Sequence, residues 1–277
     1  MNIYAFADEA SAVIDQQILA LKRNNLQGLE IRNVDSVNVS DITDEKAIEV
    51  KKKLDENGLI TFSVGSPIGK INIVTDDFES HLEKLRRTSN IANILGTQNI
   101  RMFSFYYPKT SSAQEVRGQV IDSMGRMLEV AKENGVILCH ENEKGIYGDN
   151  AERCLELLKT FPQLKCVFDP ANFVQCEQDT KVAWETLKDY VHYLHIKDAL
   201  SDGNVVPAGE GAGNIPFILK EYIKRGGNAI TLEPHLKVFD GLKDLEQADE
   251  EIKVGIKSYA TADEAFDVAV KALRGIL

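Results

Sequence analysis

No apolar stretch in the 277 residues approaches the roughly 20 residues that a bilayer-spanning helix needs, so a membrane partner is not expected. The opening MNIYAFADEAS has no basic segment ahead of an apolar run and carries Asp8 and Glu9 early, which argues against a secretion signal. Positive charge is scarce as well. Lys and Arg number 32 against 43 Asp and Glu, a net charge of -11, whereas a nucleic-acid surface needs a basic patch or stripe. The four cysteines (Cys139, Cys154, Cys166 and Cys176) contain no C-x-x-C pair. They read as reduced, mostly buried thiols of a cytoplasmic chain, which excludes a disulfide frame or a zinc cluster. No low-complexity linker or composition shift divides the chain, so a single domain over 1–277 is expected. The first apolar run is followed by FADEAS, which is not the glycine-rich turn of a dinucleotide-binding sheet.

What is present is a rhythm. Short apolar segments at 2–6, 28–32, 59–64, 99–105, 135–141, 164–169, 191–197 and 229–233 alternate with longer amphipathic stretches. In the first of those stretches Ile14, Ile18 and Leu21 fall on one helical face. Thr261 and Glu264 have capping-box spacing ahead of the last, and Gly58 and Gly135 stand where left-handed helix ends are expected. Eight strand–helix units in this length predict an α/β fold, a closed (β/α)8 TIM barrel, in preference to an open doubly wound sheet.

Active sites of such barrels lie where the strands end, on the C-terminal face. The strand ends carry Glu30, Arg32, Arg101, Glu141, Asp169, His195 and Glu233, with Lys70 in the loop GSPIGK. Glu141, Asp169, His195 and Glu233 come from the fifth to eighth strands, neighbours in the ring. Three carboxylates and one imidazole make a site for one divalent cation, and oxygen-rich ligation suits Mn²⁺ or Mg²⁺, with Zn²⁺ and Co²⁺ as further occupants. Each of these residues has a structural alternative as a surface carboxylate or a hydrogen-bonded core histidine. Four on consecutive strands weigh against that, because a buried charge cluster must be paired or bound to metal.

The segments CHENEKG, FDPANF, HIKD, PAGEGAGNIPF and LEP, with FADEAS, LEIR and VGSPIGK before them, resemble in order the sugar phosphate isomerase/epimerase family, the xylose-isomerase-like barrel group. The resemblance implies a metal-dependent isomerase or epimerase of a sugar or sugar phosphate, with Glu141, Asp169, His195 and Glu233 as metal ligands. It also implies that Glu141 and Glu233 are the catalytic pair, one removing a proton beside the sugar carbonyl to give an enediolate and the other returning one. An inosose-type dehydratase on the same site and a non-catalytic sugar-binding barrel are the alternatives. Asn172 stands where epimerases of free ketohexoses carry a histidine, and no arginine follows HIKD closely, which sets the chain apart from those enzymes.

The remaining expectations concern substrate. Arg32, Lys70, Arg101, Asn172, Lys197 and Glu210 are the candidate substrate contacts. Lys197 shares the side of His195 by the strand period, with a salt bridge to a neighbouring carboxylate as the alternative. Gly209, Gly211 and Gly213, ahead of Asn214 as helix N-cap, could present backbone N–H groups to an anion. With Arg32, Lys70 and Arg101 they point to a phosphorylated or carboxylated substrate, unless the arginines pair with Glu30 or other buried carboxylates. His140 and His235 are expected to turn away from the ligands, Glu143 is a reserve candidate, and His81 is placed on a surface helix. The segment 234–261 is a candidate lid or homodimer contact.

Overall fold

The computed structural model describes residues 1–239, 254–255 and 257–277. Eight parallel strands close into a barrel, each paired with its neighbours in chain order. They are β1 (Asn2–Ala5), β2 (Gly28–Ile31), β3 (Ile60–Gly65), β4 (Asn99–Met102), β5 (Ile137–Glu141), β6 (Lys165–Phe168), β7 (Val191–Ile196) and β8 (Ala229–Leu232). The ring closes where Tyr4 pairs with Gly28 of β2 on one side and Thr231 of β8 on the other. All eight predicted strands are present, and closure excludes the open doubly wound sheet.

Around the barrel run α1 (Ile14–Arg23), α2 (Asp44–Glu56), α3 (Phe78–Leu95), α4 (Ala113–Glu133), α5 (Ala151–Thr160), α6 (Pro170–Gln175), α7 (Thr180–Leu187), α8 (Ile215–Lys224) and α9 (Ala262–Arg274). Local chemistry sets their ends. The Thr261 hydroxyl accepts from the Glu264 N–H, although the Glu264 carboxylate returns to the Ala260 N–H, one residue short of a full capping box. Gly58 and Gly135 hold the predicted left-handed φ of 67° and 69° after α2 and α4. Ile14, Ile18 and Leu21 are all buried against the barrel. Cys139, Cys154 and Cys166 are buried free thiols, and Cys176 is half-buried.

Strand alternation divides the core in two. Leu138, Phe168, Leu194 and Ile230 face outward under the helices, whereas Tyr4, Cys139, Val167, Tyr193 and Ala229 form a separate apolar cluster with Phe62. Tyr4 stacks on Phe62 with ring centroids 4.2 Å apart, and Phe62 meets Tyr193 edge-on at 5.0 Å. That inner cluster plugs the barrel. Two residues further along the same strands, on the same side, come Glu141 after Cys139, Asp169 after Val167 and His195 after Tyr193. The step from apolar plug to polar site is therefore one turn of the strand repeat. A β-bulge between Leu29 and Glu30 re-aims β2 at the same level.

His81 is a correction. It lies on α3, but buried, and its Nε2 accepts the Gly69 N–H at 2.8 Å, which ties down the loop carrying Lys70. Gly69 has φ 88°, and a Cβ there would meet the Phe103 carbonyl oxygen at 2.0 Å, so the loop needs both glycine and its histidine anchor. Burial holds the His81 pKa down at about 4 from 6.5. The unfolded chain therefore takes up this proton first as pH falls, and the stabilisation present above pH 6.5 is lost on the way down to about 4. His81→Gln keeps an acceptor without the titration. Between pH 7 and pH 5 the wild type is expected to lose about 2 kcal/mol relative to this variant in urea melts. Parallel stability curves for the two proteins would contradict the assignment.

Candidate metal centre

Glu141, Asp169, His195 and Glu233 converge at the C-terminal ends of β5 to β8. Each offers a ligand atom within 4.8 Å of the others', and all four residues are buried. Asp169 is divided between two duties. It is the N-cap of α6, where Oδ1 accepts the Asn172 N–H at 2.9 Å, which leaves Oδ2 pointing into the cluster. That oxygen is buried without a hydrogen bond, and although Lys197 Nζ lies 3.0 Å away, the contact is an ion pair outside hydrogen-bonding alignment. Burial raises the Asp169 pKa to about 7, offset in part by Lys197 and reinforced by Glu141 and Glu233.

His195 is gripped at both ring nitrogens. Nδ1 lies 2.8 Å from Glu141 Oε1 and 3.6 Å from Glu233 Oε2, while Nε2 lies 3.0 Å from Glu30 Oε2. Burial alone would lower its pKa, but the attraction of Glu141 and Glu30 more than reverses this and raises it well above 6.5. Glu30 is in turn held by the Tyr193 hydroxyl at 3.0 Å. A carboxylate behind the distal nitrogen orients the ring with Nδ1 toward the cluster, as outer partners of metal-ligating histidines do. Glu30 thus acts through His195.

Around these residues stand seven carboxylates (Asp8, Glu9, Glu30, Glu141, Glu143, Asp169, Glu233) against four permanent cations (Arg32, Lys70, Arg101, Lys197). With His195 counted as a fifth cation the carboxylates still outnumber their partners, and this excess, the oxygen-rich donors and an Asp169 Oδ2 without a hydrogen bond fit a hard divalent cation held by Glu141, Asp169, His195 and Glu233.

Among the candidate substrate contacts the basic residues take the alternative of pairing with carboxylates. Arg32 reaches Asp8, Glu9 and Glu233 at 2.8, 3.1 and 3.2 Å, so its partners are not Glu30 but the carboxylates of the first loop and of β8. Arg101 Nε lies 3.3 Å from Glu141 and 3.9 Å from Glu30. Lys70 pairs with Glu143 at 2.9 Å. Phe6 backs Arg32, and Phe103 lies against both Lys70 and Arg101 at 4.5 and 4.6 Å. Asn172 donates to the Asn142 carbonyl at 2.8 Å and lies 3.5 Å from Glu141 Oε1, so it positions the metal-side glutamate. Lys197 bridges Asp169 and Glu233. Glu210 is exposed and pairs with Lys257, apart from the cluster.

The glycine loop is a second correction. Gly209, Gly211 and Gly213 do aim their N–H groups at an anion, but the anion is the Asp198 side chain, which takes all three at 2.8–3.0 Å together with the Ala199 N–H. Asn214 is the N-cap of α8, yet its side chain reaches Thr180 and Ala212 instead of capping. His140 meets Ser104 at 2.9 Å and packs away from the ligands. His235 does not turn away. The chain has left β8 at Leu232, φ at His235 is 45°, and Nδ1 comes to 3.1 Å from Glu9 and 3.7 Å from Glu233. Glu9, Glu233 and His235 form a second group of close donors, but the Arg32 guanidinium already lies between Glu9 and Glu233. Most of the candidate lid at 234–261 lies outside the described residues. No described helix is long and apolar enough to cross a membrane.

Asp8, Glu9 and Glu30 are the partners that strand-end reading passed over as site residues. Asp8 and Glu9 lie past the end of β1, in the short helical turn Ala7–Glu9, beyond the strand-end positions that the rule selects, whereas Glu233 follows β8 at once.

The family model for the xylose isomerase-like TIM barrel matches residues 18–258. Among curated protein sequences none matches the chain. Similar solved structures include a D-psicose 3-epimerase from Clostridium cellulolyticum H10 at 17% identity, with a TM-score of 0.75 over 100% of this chain and 98% of that one. A 3-keto-D-glucoside 4-epimerase from E. coli aligns at 15% identity with a TM-score of 0.72 over 100% and 98%. A probable 3-DHS dehydratase from Bacillus anthracis aligns at 17% identity and 0.74 over 99% and 98%. At such identities the likeness is one of fold.

Proposed function

Because the chain belongs to the xylose isomerase-like TIM barrel family, we propose that it is a divalent-cation-dependent isomerase or epimerase of a small polyhydroxy carbonyl compound. The observation that carries this reading is the buried convergence of Glu141, Asp169, His195 and Glu233, with Asp169 Oδ2 left without a hydrogen bond. A cation bound there, with Mn²⁺ the first candidate, supplies Lewis acidity to a carbonyl and its neighbouring hydroxyl.

The protein's own groups do the rest. Glu141 and Glu233 stand at the two ends of the four-strand arc, so a carbon between them meets a carboxylate from either side. Burial works against the charge on Glu233, but Lys197, His235, His195 and Arg32 pull its pKa well below the carboxylate range, which keeps the group ionised at the expense of its basicity. Arg101 and His195 lie against the two oxygens of Glu141; in the returning role Glu141 enters the step protonated, so that the proton it gives up balances the one that Glu233 takes. One face-to-face exchange gives epimerisation, and return at the adjacent carbon gives isomerisation.

The substrate best suited to the site is uncharged. Arg32, Lys70, Arg101 and Lys197 each carry a carboxylate partner, and the glycine loop is closed over Asp198. The second reading is elimination of water after the same proton abstraction, favoured by the dehydratase among the similar structures.

The test is solvent exchange. With Mn²⁺ or Co²⁺ added, the protein is incubated in D₂O with ketoses, aldoses and inososes, and the recovered sugars are read by mass and NMR. Deuterium beside the carbonyl with a rearranged sugar supports isomerisation or epimerisation, and loss of 18 mass units (about one water) supports elimination. Failure to exchange across the panel with cation bound would leave the binding-barrel reading in place of an enzyme.

A further inference from the structure

Lys197 follows the metal-side histidine by two residues and rises into the same cluster. Its Nζ lies 3.0 Å from Asp169 Oδ2 and 3.0 Å from Glu233 Oε2, and its side chain is 8% exposed. These two oxygens are the ones left for a cation. The other Asp169 oxygen caps α6, and the other Glu233 oxygen accepts from Arg32 at 3.2 Å. A divalent ion takes carboxylate oxygens at roughly 2.0–2.2 Å, so an ammonium between the same two atoms occupies the space and the charge that the ion would need.

We propose that Lys197 is the resident cation of this site, a built-in competitor that holds Asp169 and Glu233 until a divalent ion displaces it. The inference rests on the metal-centre reading above. A lysine suits this duty because its compact charge rides on a flexible four-carbon stem, whereas a guanidinium would be fixed by its fork. Neighbouring Arg32 shows the contrast: it is held by Asp8 through two nitrogens and backed by Phe6, and has no comparable freedom to leave.

The experiment uses chelator-treated full-length protein, wild type and Lys197→Met, titrated with Mn²⁺ by equilibrium dialysis. The variant is expected to bind Mn²⁺ on the order of ten- to a hundredfold more tightly, the range that loss of one charge-assisted hydrogen bond to the same carboxylates implies. Before Mn²⁺ is added, its melting temperature is expected to be lower than that of the wild type, because two buried carboxylates have lost their partner. A second measurement needs no variant. Amine labelling of wild type, read peptide by peptide, is expected to find Lys197 protected after chelation and reactive once Mn²⁺ is bound. Equal Mn²⁺ affinity with unchanged Lys197 labelling would overturn the displacement and leave the metal centre standing. Binding by Lys197→Met alone would support displacement in its strongest form, and absence of binding by both proteins would overturn both readings.

Discussion

On the proposed isomerase or epimerase reading, Glu233→Gln is expected to lower deuterium exchange into sugar by about 10²–10⁴-fold and to weaken divalent-cation binding at the same time. The geometry explains why one substitution does both. Glu233 Oε1 faces Arg32 at 3.2 Å, and Oε2 faces Lys197 at 3.0 Å with His195 Nδ1 at 3.6 Å. An amide of the same shape presents one acceptor and one donor to these cations, so either Arg32 or Lys197 meets an N–H₂ group head-on. Leaving one buried charge uncompensated in this way is worth about 3–5 kcal/mol, and much of the effect should also appear as lower stability of the chelated protein. The measurement is a pair: Mn²⁺ affinity by dialysis and deuterium uptake at saturating Mn²⁺. Retention of full exchange by the variant would remove Glu233 from the proton path, and unchanged affinity would remove it from the ligand set.

Asp198→Ala is expected to lower stability by about 4 kcal/mol without touching any of the four metal-side residues. Four backbone N–H groups, from Ala199, Gly209, Gly211 and Gly213, end on this one buried carboxylate. Alanine leaves them to water or to nothing, in a loop whose path exists to reach that anion. A Cβ on Gly211 would meet Asp198 Oδ1 at 2.3 Å and the Ala199 carbonyl oxygen at 2.5 Å, so the glycines are there for close approach to Asp198. The expected fall in Tm is roughly 10 °C, and Asp198→Asn should lie between the two because it keeps one acceptor oxygen. Because Asp198 follows Lys197 and ends the β7 exit, the same variant is expected to loosen the approach to the site. A calorimetric scan showing an unchanged Tm would contradict the assignment of this loop as an internal anion clamp.

Both outcomes turn on features that stood in the sequence with different legibility. The strand–helix rhythm was plain, since an apolar strand buried on both faces reads as an unbroken run and the intervening helices carry their own caps. Glu141, Asp169, His195 and Glu233 were equally plain, because strand alternation puts each beyond a residue of the apolar plug or just past its strand. Glu30 was visible as a residue but not as a partner of His195, because β2 and β7 are not neighbours and the Leu29–Glu30 bulge that turns it inward has no sequence signature. The glycine loop was recognised as an anion cradle, but its anion is a side chain eleven to fifteen positions earlier. Whether Arg32, Lys70 and Arg101 were free positive charge or paired with buried carboxylates stayed open in the sequence, because a list of residues shows charges without their distances.

Hydrophobic periodicity and the order of caps thus determined the barrel and the direction in which it opens, and strand-end reading drew attention to the four residues that converge at its mouth. Only the tertiary structure decided what each charge touches: that Lys197 bridges Asp169 and Glu233, that Asp198 is clasped by its own glycines, and that Glu30 stands behind His195. The reason is physical. A buried charge is stable only against a partner within a few ångströms, and which of many candidates supplies that partner is settled by the closing of the ring, not by the spacing along the chain.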